Sequence, residues 1–269
     1  MNKNYKMLAL DIDGTLTTSD KVITEATKRA VISLQERGIK VIIASGRSEY
    51  GLRHIIDELE FFRFGSYVMS FNGGRITDCT TGEIVYDNPL PLSYLPEIYN
   101  TAVEYNLGIL GYEKDCLISG NGTDEYQEYD ALICKMQLKE VDDFPVYFNT
   151  PFNKCLLTGT PKHLRNVLSA VQKRFADRLN IFLSEEFFIE VLPKNIHKAA
   201  ALESLLKRLE ISKDELVCIG DGINDITMIE YAGLGIAMAN ANPLLIEKAD
   251  YVTDSNDNDG VVKAIERFF

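Results

Sequence analysis

The sequence predicts an α/β fold: a doubly wound parallel sheet interrupted by a smaller α+β insertion. Three observations predict it. From Met7 to about Gly82, short apolar runs alternate with helical stretches, and the alternation resumes from about Leu192 to Phe269. Between these blocks, strand-like pairs mix with helices. Several apolar runs also end abruptly in turns rich in Gly, Ser or Asp, as strands do at the ligand-binding edge of a parallel sheet.

The first strand is Met7-Leu8-Ala9-Leu10, and Asp11-Ile12-Asp13-Gly14-Thr15 follows it. Side chains two apart on a strand share a face, so Asp11 and Asp13 enter one site if the strand continues. If the chain turns earlier, they fan around one point. Two adjacent carboxylates are costly to hold unless a cation or a shared proton compensates. Alone, the segment also fits two solvated acids before a turn.

A helix is expected over Glu25–Arg37, then a strand Val41-Ile42-Ile43-Ala44 ending in Ser45-Gly46-Arg47. A helical stretch from Ser48 to Leu59 follows, then a strand Tyr67–Ser70. A hydroxyl, free N–H groups and a helix N-terminus make a seat for phosphate. A plain N-cap serine is the other reading of Ser45.

The middle segment begins after Asp87-Asn88-Pro89-Leu90-Pro91. Helices are expected at Tyr94–Tyr105, Asp124–Met136 and Lys162–Phe175. Strands are expected at Leu107–Tyr112, Cys116–Ser119, Lys154–Gly159, Asn180–Ser184 and Phe187–Leu192. This pattern suggests a separate α+β cap with a mixed or antiparallel sheet. The core domain would be residues 1–86 and 192–269, and the cap 87–191. A cap on two linkers can close over a site and exclude water. Its polar loop Gly120–Glu128 and the rings of Phe182, Phe187 and Phe188 are candidate substrate contacts, or simply surface and cap core.

Lys198 opens a helix whose apolar face is Ala201, Leu202, Leu205, Leu206 and Leu209. A lysine near a helix N-terminus is electrostatically unfavourable, which hints at an anionic partner. The ordinary alternative is a solvated surface lysine. Val217-Cys218-Ile219 is the next strand, and Gly220-Asp221-Gly222-Ile223-Asn224-Asp225 follows it. A Gly-rich turn with an N-cap acid would account for Asp225, but less well for Asp221. Strands at Leu234–Met238 and Tyr251–Thr253 and a last helix complete the alternation.

If the strands are parallel, Asp11, Asp13, Asp221 and Asp225 converge at one edge. Hard oxygen ligands without a His or Cys pair nearby suit Mg²⁺. With Ser45 and Lys198 they describe phosphoryl transfer. A carboxylate is ionised at neutral pH and can serve as nucleophile without a base, and a second acid can protonate the leaving oxygen.

Bulk properties agree. A chain of 269 residues can bury one or two cores. Its net charge of −12 leaves no basic footprint for nucleic acid or an anionic membrane. No stretch resembles a signal peptide or reaches spanning length, so a cytoplasmic location is expected. Five cysteines, an odd number without Cys-x-x-Cys spacing, point to reduced thiols. The expected partner is a small phosphorylated substrate, and the expected assembly a monomer or small homo-oligomer.

Asp-Ile-Asp-Gly-Thr-Leu, Ala-Ser-Gly-Arg, Lys198 and Gly-Asp-Gly-Ile-Asn-Asp stand in the order of the four motifs of the haloacid dehalogenase superfamily. More narrowly, the chain resembles the Cof-type sugar-phosphatase branch. Ser70-Phe71-Asn72-Gly73-Gly74, Ile236–Ala241 and Asp259-Gly260-Val261 add to the likeness. The resemblance implies a Rossmann-like core and a large cap between the second and third motifs. It implies Asp11 as nucleophile and Mg²⁺ ligand, and Asp13 as general acid/base, binding Mg²⁺ through its backbone carbonyl. Thr15 would orient Asp13. Ser45 and Gly46 would hold the phosphoryl group, with Asn224 reaching it. Arg47, Asn72 and Gly73 would lie on the substrate side. Lys198 would neutralise nucleophile and phosphate. Asp221 would complete the metal shell, and Asp225 would hold its waters or Lys198. The family commonly reads Ser-Lys-Gly where this chain has His197-Lys198-Ala199. The implied activity is Mg²⁺-dependent hydrolysis of small phosphomonoesters. A phosphomutase or a phospho-ligand sensor is the alternative.

Overall fold

The computed structural model describes residues 4–269. The chain divides into two compact units. One comprises the chain up to Asp87 together with His197–Phe269, and the other is Asn88–Ile196.

The strands of the first unit are β1 (Met7–Leu10), β2 (Lys40–Ala44), β3 (Tyr67–Ser70), β4 (Arg75–Asp78) and β5 (Ile84–Asp87). The second unit holds β6 (Gly108–Glu113), β7 (Cys116–Ser119), β8 (Gln137–Glu140), β9 (Cys155–Thr158), β10 (Leu179–Glu185) and β11 (Phe188–Pro193). The chain then returns to the first unit with β12 (Leu216–Gly220), β13 (Leu234–Ala237) and β14 (Tyr251–Val252).

The first unit is built on an eight-stranded sheet in the order β14-β13-β12-β1-β2-β3-β4-β5. From β14 to β3 all neighbours are parallel. Helices cover both faces, so β1 is wholly apolar and every one of its residues is buried. Val31, Leu34, Leu52, Ile55, Leu205 and Ile265 pack onto the sheet from the helices. The strand order reverses between β1 and β12, which makes that junction the switch point of the sheet.

One edge departs from the parallel expectation. β4 pairs antiparallel with β3, and β5 with β4. These strands are short and carry charged ends, Arg75, Asp78 and Asp87, so they read as loop. Tight turns at Gly73 and Gly82, both at positive φ, fold them back.

The second unit holds a six-stranded sheet in the order β10-β11-β9-β6-β7-β8. Only β7 and β8 run parallel. The half-exposed edge strand β8, Gln137-Leu138-Lys139-Glu140, was not anticipated, because it lacks an apolar run. Ile109, Leu157, Ile189 and Val191 face Ile98, Leu164, Val171 and Phe175 of the flanking helices in a core separate from that of the first unit. Alternate residues point to the opposite side of the strands. There Tyr112 donates to Asp130 at 2.8 Å, and Lys154 pairs with Glu190 at 3.1 Å. The Lys154 ammonium also lies 5.1 Å from the centre of the Tyr112 ring. Phe187 stacks on Tyr126 and packs edge-on against Phe188. All five cysteines are free thiols. Among the described residues, no helix is long and apolar enough to cross a membrane.

The buried Lys154–Glu190 pair generates a test. Lys154→Met strands a buried carboxylate and is expected to destabilise the protein by about 3 kcal/mol. Adding Glu190→Leu removes the orphaned charge and should restore most of that loss. Urea unfolding of the two variants checks both values.

Candidate active site

Four adjacent parallel strands deliver the site residues at their carboxyl ends. Asp11 follows β1, Ser45 follows β2, Asn72 lies just beyond β3, and Asp221 follows β12. Backbone bonds continue the sheet into these turns: Asp11 N–H donates to the Ile219 carbonyl at 3.0 Å, and Ser45 N–H to that of Met69 at 2.9 Å.

At the centre is Lys198, fully buried at the first position of the helix Lys198–Leu209. An ammonium has three N–H donors. Here they reach Asp11 Oδ1 at 2.6 Å, the Ala44 carbonyl at 2.6 Å and Asp225 Oδ1 at 2.5 Å. Burial works against the charge on Lys198, but Asp11 and Asp225 outweigh it and hold the amine above the usual lysine range. The anionic partner expected of a lysine at a helix start is therefore a pair of aspartates.

Asp225 is also fully buried, and both its oxygens are engaged. Oδ2 accepts from the N–H groups of Asp221 at 3.1 Å and Gly222 at 2.9 Å. Asp225 thus ties the Gly-Asp-Gly turn to Lys198. Gly220 is required by the same approach, since a Cβ there would fall 2.7 Å from the Asp225 carboxylate.

Asp11, Asp221 and Asp225 each bring one oxygen to within 4.8 Å of the others. Three carboxylates against the single ammonium of Lys198 leave two formal negative charges. Burial, followed by the Asp225 charge, raises the Asp11 carboxyl well above its ordinary range. Burial pushes Asp221 up to about 6, against the bond it accepts from Thr15. Hard oxygen donors with a surplus of two charges fit a divalent cation such as Mg²⁺.

Asp13 stands apart from this cluster. Its carboxylate accepts from Arg47 Nη2 at 2.8 and 2.9 Å, from Arg47 Nε at 3.2 Å and from Lys21 Nζ at 2.9 Å. Burial works upward on Asp13, but Arg47 and Lys21 outweigh it and hold the carboxyl below its usual range. Thr15 corrects an expectation. Its hydroxyl donates to Asp221 Oδ1 at 2.7 Å rather than to Asp13, and a hydroxyl has one proton to give. Gly14 allows this. A Cβ there would sit 2.4 Å from Asp221 Oδ2, and its φ of +84° suits glycine.

The candidate phosphate and substrate residues also come together. The helix Glu49–Glu58 is capped by Ser48, which leaves Ser45 outside the cap. Ser45 Oγ accepts from the Arg47 N–H at 3.1 Å, and the Ser45 carbonyl from the Asn72 N–H at 2.9 Å. Asn224 donates to Asn72 Oδ1 at 3.1 Å, and Gly46 packs within contact of the Asn72 amide. Gly73 lies so close to the His197 carbonyl that a Cβ would approach to 2.7 Å. His197 itself is the N-cap: its Nδ1 accepts from the Ala200 N–H at 3.2 Å.

Sequence reasoning missed Lys21 and the Ala44 carbonyl. Lys21 is an exposed lysine in a polar loop, and a carbonyl leaves no signature in a sequence.

A family model described as haloacid dehalogenase-like hydrolase matches residues 8–265. The fold is similar to the crystal structure of a haloacid dehalogenase-like hydrolase from Bacteroides thetaiotaomicron. That likeness has a TM-score of 0.94 and 40% identity, covering 98% of this chain and 100% of that one. Over 264 residues the chain is 31% identical to the protein named "Putative phosphatase YxeH" of Bacillus subtilis (strain 168), covering 97% of each. It is 28% identical over 266 residues to the 5-amino-6-(5-phospho-D-ribitylamino)uracil phosphatase YcsE of the same organism, covering 98% of this chain and 96% of that one.

Two outcomes are expected of this geometry. His197→Ala should lower stability by about 1 kcal/mol through loss of the cap, while His197→Asn should keep most of it. Thermal unfolding of both variants checks this. The second concerns pH. A carboxyl whose folded value is raised favours folding while protonated. Its contribution is full below the unfolded value near about 4 and is lost as pH rises through about 6. The metal-free protein should therefore lose stability between about pH 4 and pH 6, and Asp221→Asn should flatten that decline. Mg²⁺ at pH 7 should reverse it, read as a rise in the unfolding midpoint.

Proposed function

The chain belongs to the haloacid dehalogenase-like hydrolases, and we propose that it is a phosphatase that hydrolyses small phosphomonoesters through an aspartyl-phosphate on Asp11. The observation that carries this reading is the buried Lys198, which fixes Asp11 at the switch point of the sheet. Similarity to a phosphatase of a phosphorylated ribitylamino-uracil supports the small-substrate class.

Lys198 holds Asp11 Oδ1, and in this reading Oδ2 is the oxygen that attacks phosphorus. Attack forms the Oδ2–P bond and breaks the bond from phosphorus to the leaving oxygen. The ammonium opposes the burial and the Asp225 charge that would protonate Asp11. Before substrate binds, Arg47 and Lys21 pair with the Asp13 carboxylate. Once the bound substrate draws Arg47 and Lys21 away, Asp13 can take up a proton; it then gives that proton to the leaving oxygen and takes one from the water that cleaves the acyl phosphate. The Ser45 hydroxyl, the Gly46 N–H and the Asn224 amide supply hydrogen bonds to the phosphoryl oxygens. Arg47, Asn72 and Gly73 line the substrate side. Mg²⁺, held by Asp11, Asp221 and the Asp13 carbonyl with Asp225 behind them, would neutralise charge on the phosphoryl group when bound. Residues 87–191 would act as the cap that selects the substrate, and the protein would work in the cytoplasm.

Phosphate release from a panel of phosphorylated sugars, nucleotides and cofactors tests the reading. Release is expected with Mg²⁺ and not with chelator. Asp11→Asn should lower turnover by on the order of a thousandfold or more while largely preserving the fold, read by circular dichroism. Substantial turnover in that variant would overturn the assignment of Asp11.

A further inference from the structure

The turn that carries Asp13 is fastened from outside the catalytic cluster. Asn240, just beyond β13, donates through Nδ2 to the Gly14 carbonyl at 2.8 Å. Its Oδ1 accepts from the Asn256 N–H at 3.0 Å. Asn256 in turn donates through Nδ2 to the Thr17 carbonyl at 3.0 Å. Asp257 takes both the N–H and the hydroxyl of Ser19, at 2.8 and 2.7 Å. The Thr24 hydroxyl reaches Asp259 at 2.9 Å. Two segments of the C-terminal part thus grip the loop from Gly14 to Thr24 at four points. The Ile236–Ala241 and Asp259–Val261 signatures border this strap, and the chemistry of the site leaves them without a task.

The point of attachment matters. Gly14 lies between Asp13 and Thr15, whose hydroxyl holds Asp221. The Asp13 side chain is partly exposed, and its cations are the mostly buried side chain of Arg47 and the exposed one of Lys21. Lys21 sits on the same loop, in a turn closed by its N–H on the Thr18 carbonyl at 2.9 Å. When those partners let go so that Asp13 can carry a proton, the turn beneath it is left to set its place. Among the described residues the Asn240 amide is what holds the Gly14 carbonyl of that turn.

We propose that Asn240, bridged to Asn256, is a positioning residue that sets the Asp13 carboxylate for proton transfer to the leaving oxygen. The inference rests on the phosphatase reading, in which Asp13 is the acid. A proton is needed most when the leaving oxygen is a poor leaving group. Asn240→Ala should therefore lower kcat/KM for phenyl phosphate by about tenfold or more, yet alter that for p-nitrophenyl phosphate by no more than about twofold. Asn256→Ala should act alike, and the double variant should be no worse than the poorer single one, because the two amides form one bridge. Amide exchange across residues 14–19, read without substrate, should quicken in each variant. Equal loss on both esters, or no loss with unchanged exchange, would overturn the proposal. Asp13→Asn separates it from its premise. Leaving-group dependence in Asp13→Asn but not in Asn240→Ala removes the positioning role alone. Indifference in Asp13→Asn removes the acid, and the proposal with it. If the unaltered enzyme hydrolyses neither ester, the comparison is made on two panel substrates whose leaving oxygens differ in pKa; release from no panel member removes the phosphatase reading, and with it the positioning role.

Discussion

The buried ammonium of Lys198 is the constraint on which the rest of the first unit depends. A lysine taken wholly out of water is tolerable only when every N–H finds an acceptor and an opposite charge lies close by. Its three acceptors come from three different places: the turn after β1, the last carbonyl of β2 and the turn after β12. Those three strands must be neighbours, parallel and in register for the acceptors to meet, and they are adjacent in the sheet. The fold and the site are therefore one problem. A slip of one residue in β1 would turn Asp11 to the other face and leave the ammonium unpaired.

That packing leaves no room for side chains where the turns converge. Gly14, Gly73 and Gly220 mark where backbone must run against Asp221, the His197 carbonyl and Asp225. The same crowding divides the acids into two groups. Asp11, Asp221 and Asp225 crowd around Lys198 with negative charge in surplus, while Asp13 is held by two cations and stays ionised at lower pH. One group suits a cation, and the other suits a carboxyl that must exchange partners when substrate arrives.

Much of this was legible because the motif residues are consecutive and lie at strand ends. Apolar runs gave the parallel strands, and the acids and glycines behind them gave the site. Lys198 was legible from its awkward place at a helix start. What could not be read has a physical cause in each case. The strands β4 and β5 are four residues each with charged ends, and the edge strand β8 is polar and mostly exposed, so no period-2 signal marks them. Thr15 was matched to the wrong acid, because the choice between Asp13 and Asp221 depends on which carboxylate the third dimension brings near. Lys21, Asn240 and Asn256 act through exposed side chains or backbone carbonyls, and neither leaves a pattern in sequence.

The place where the insertion ends explains how it can be accommodated. His197 is the first residue of the first unit after Ile196, and it caps the very helix that begins with Lys198. The cap bond comes from the ring of His197 to the N–H of Ala200, so the helix start is satisfied within the first unit. Gly73, also of that unit, packs on the His197 carbonyl and fixes the chain there. Each unit buries its own apolar core. The ammonium itself is held by β1, β2, β12 and one capped helix, all of the first unit.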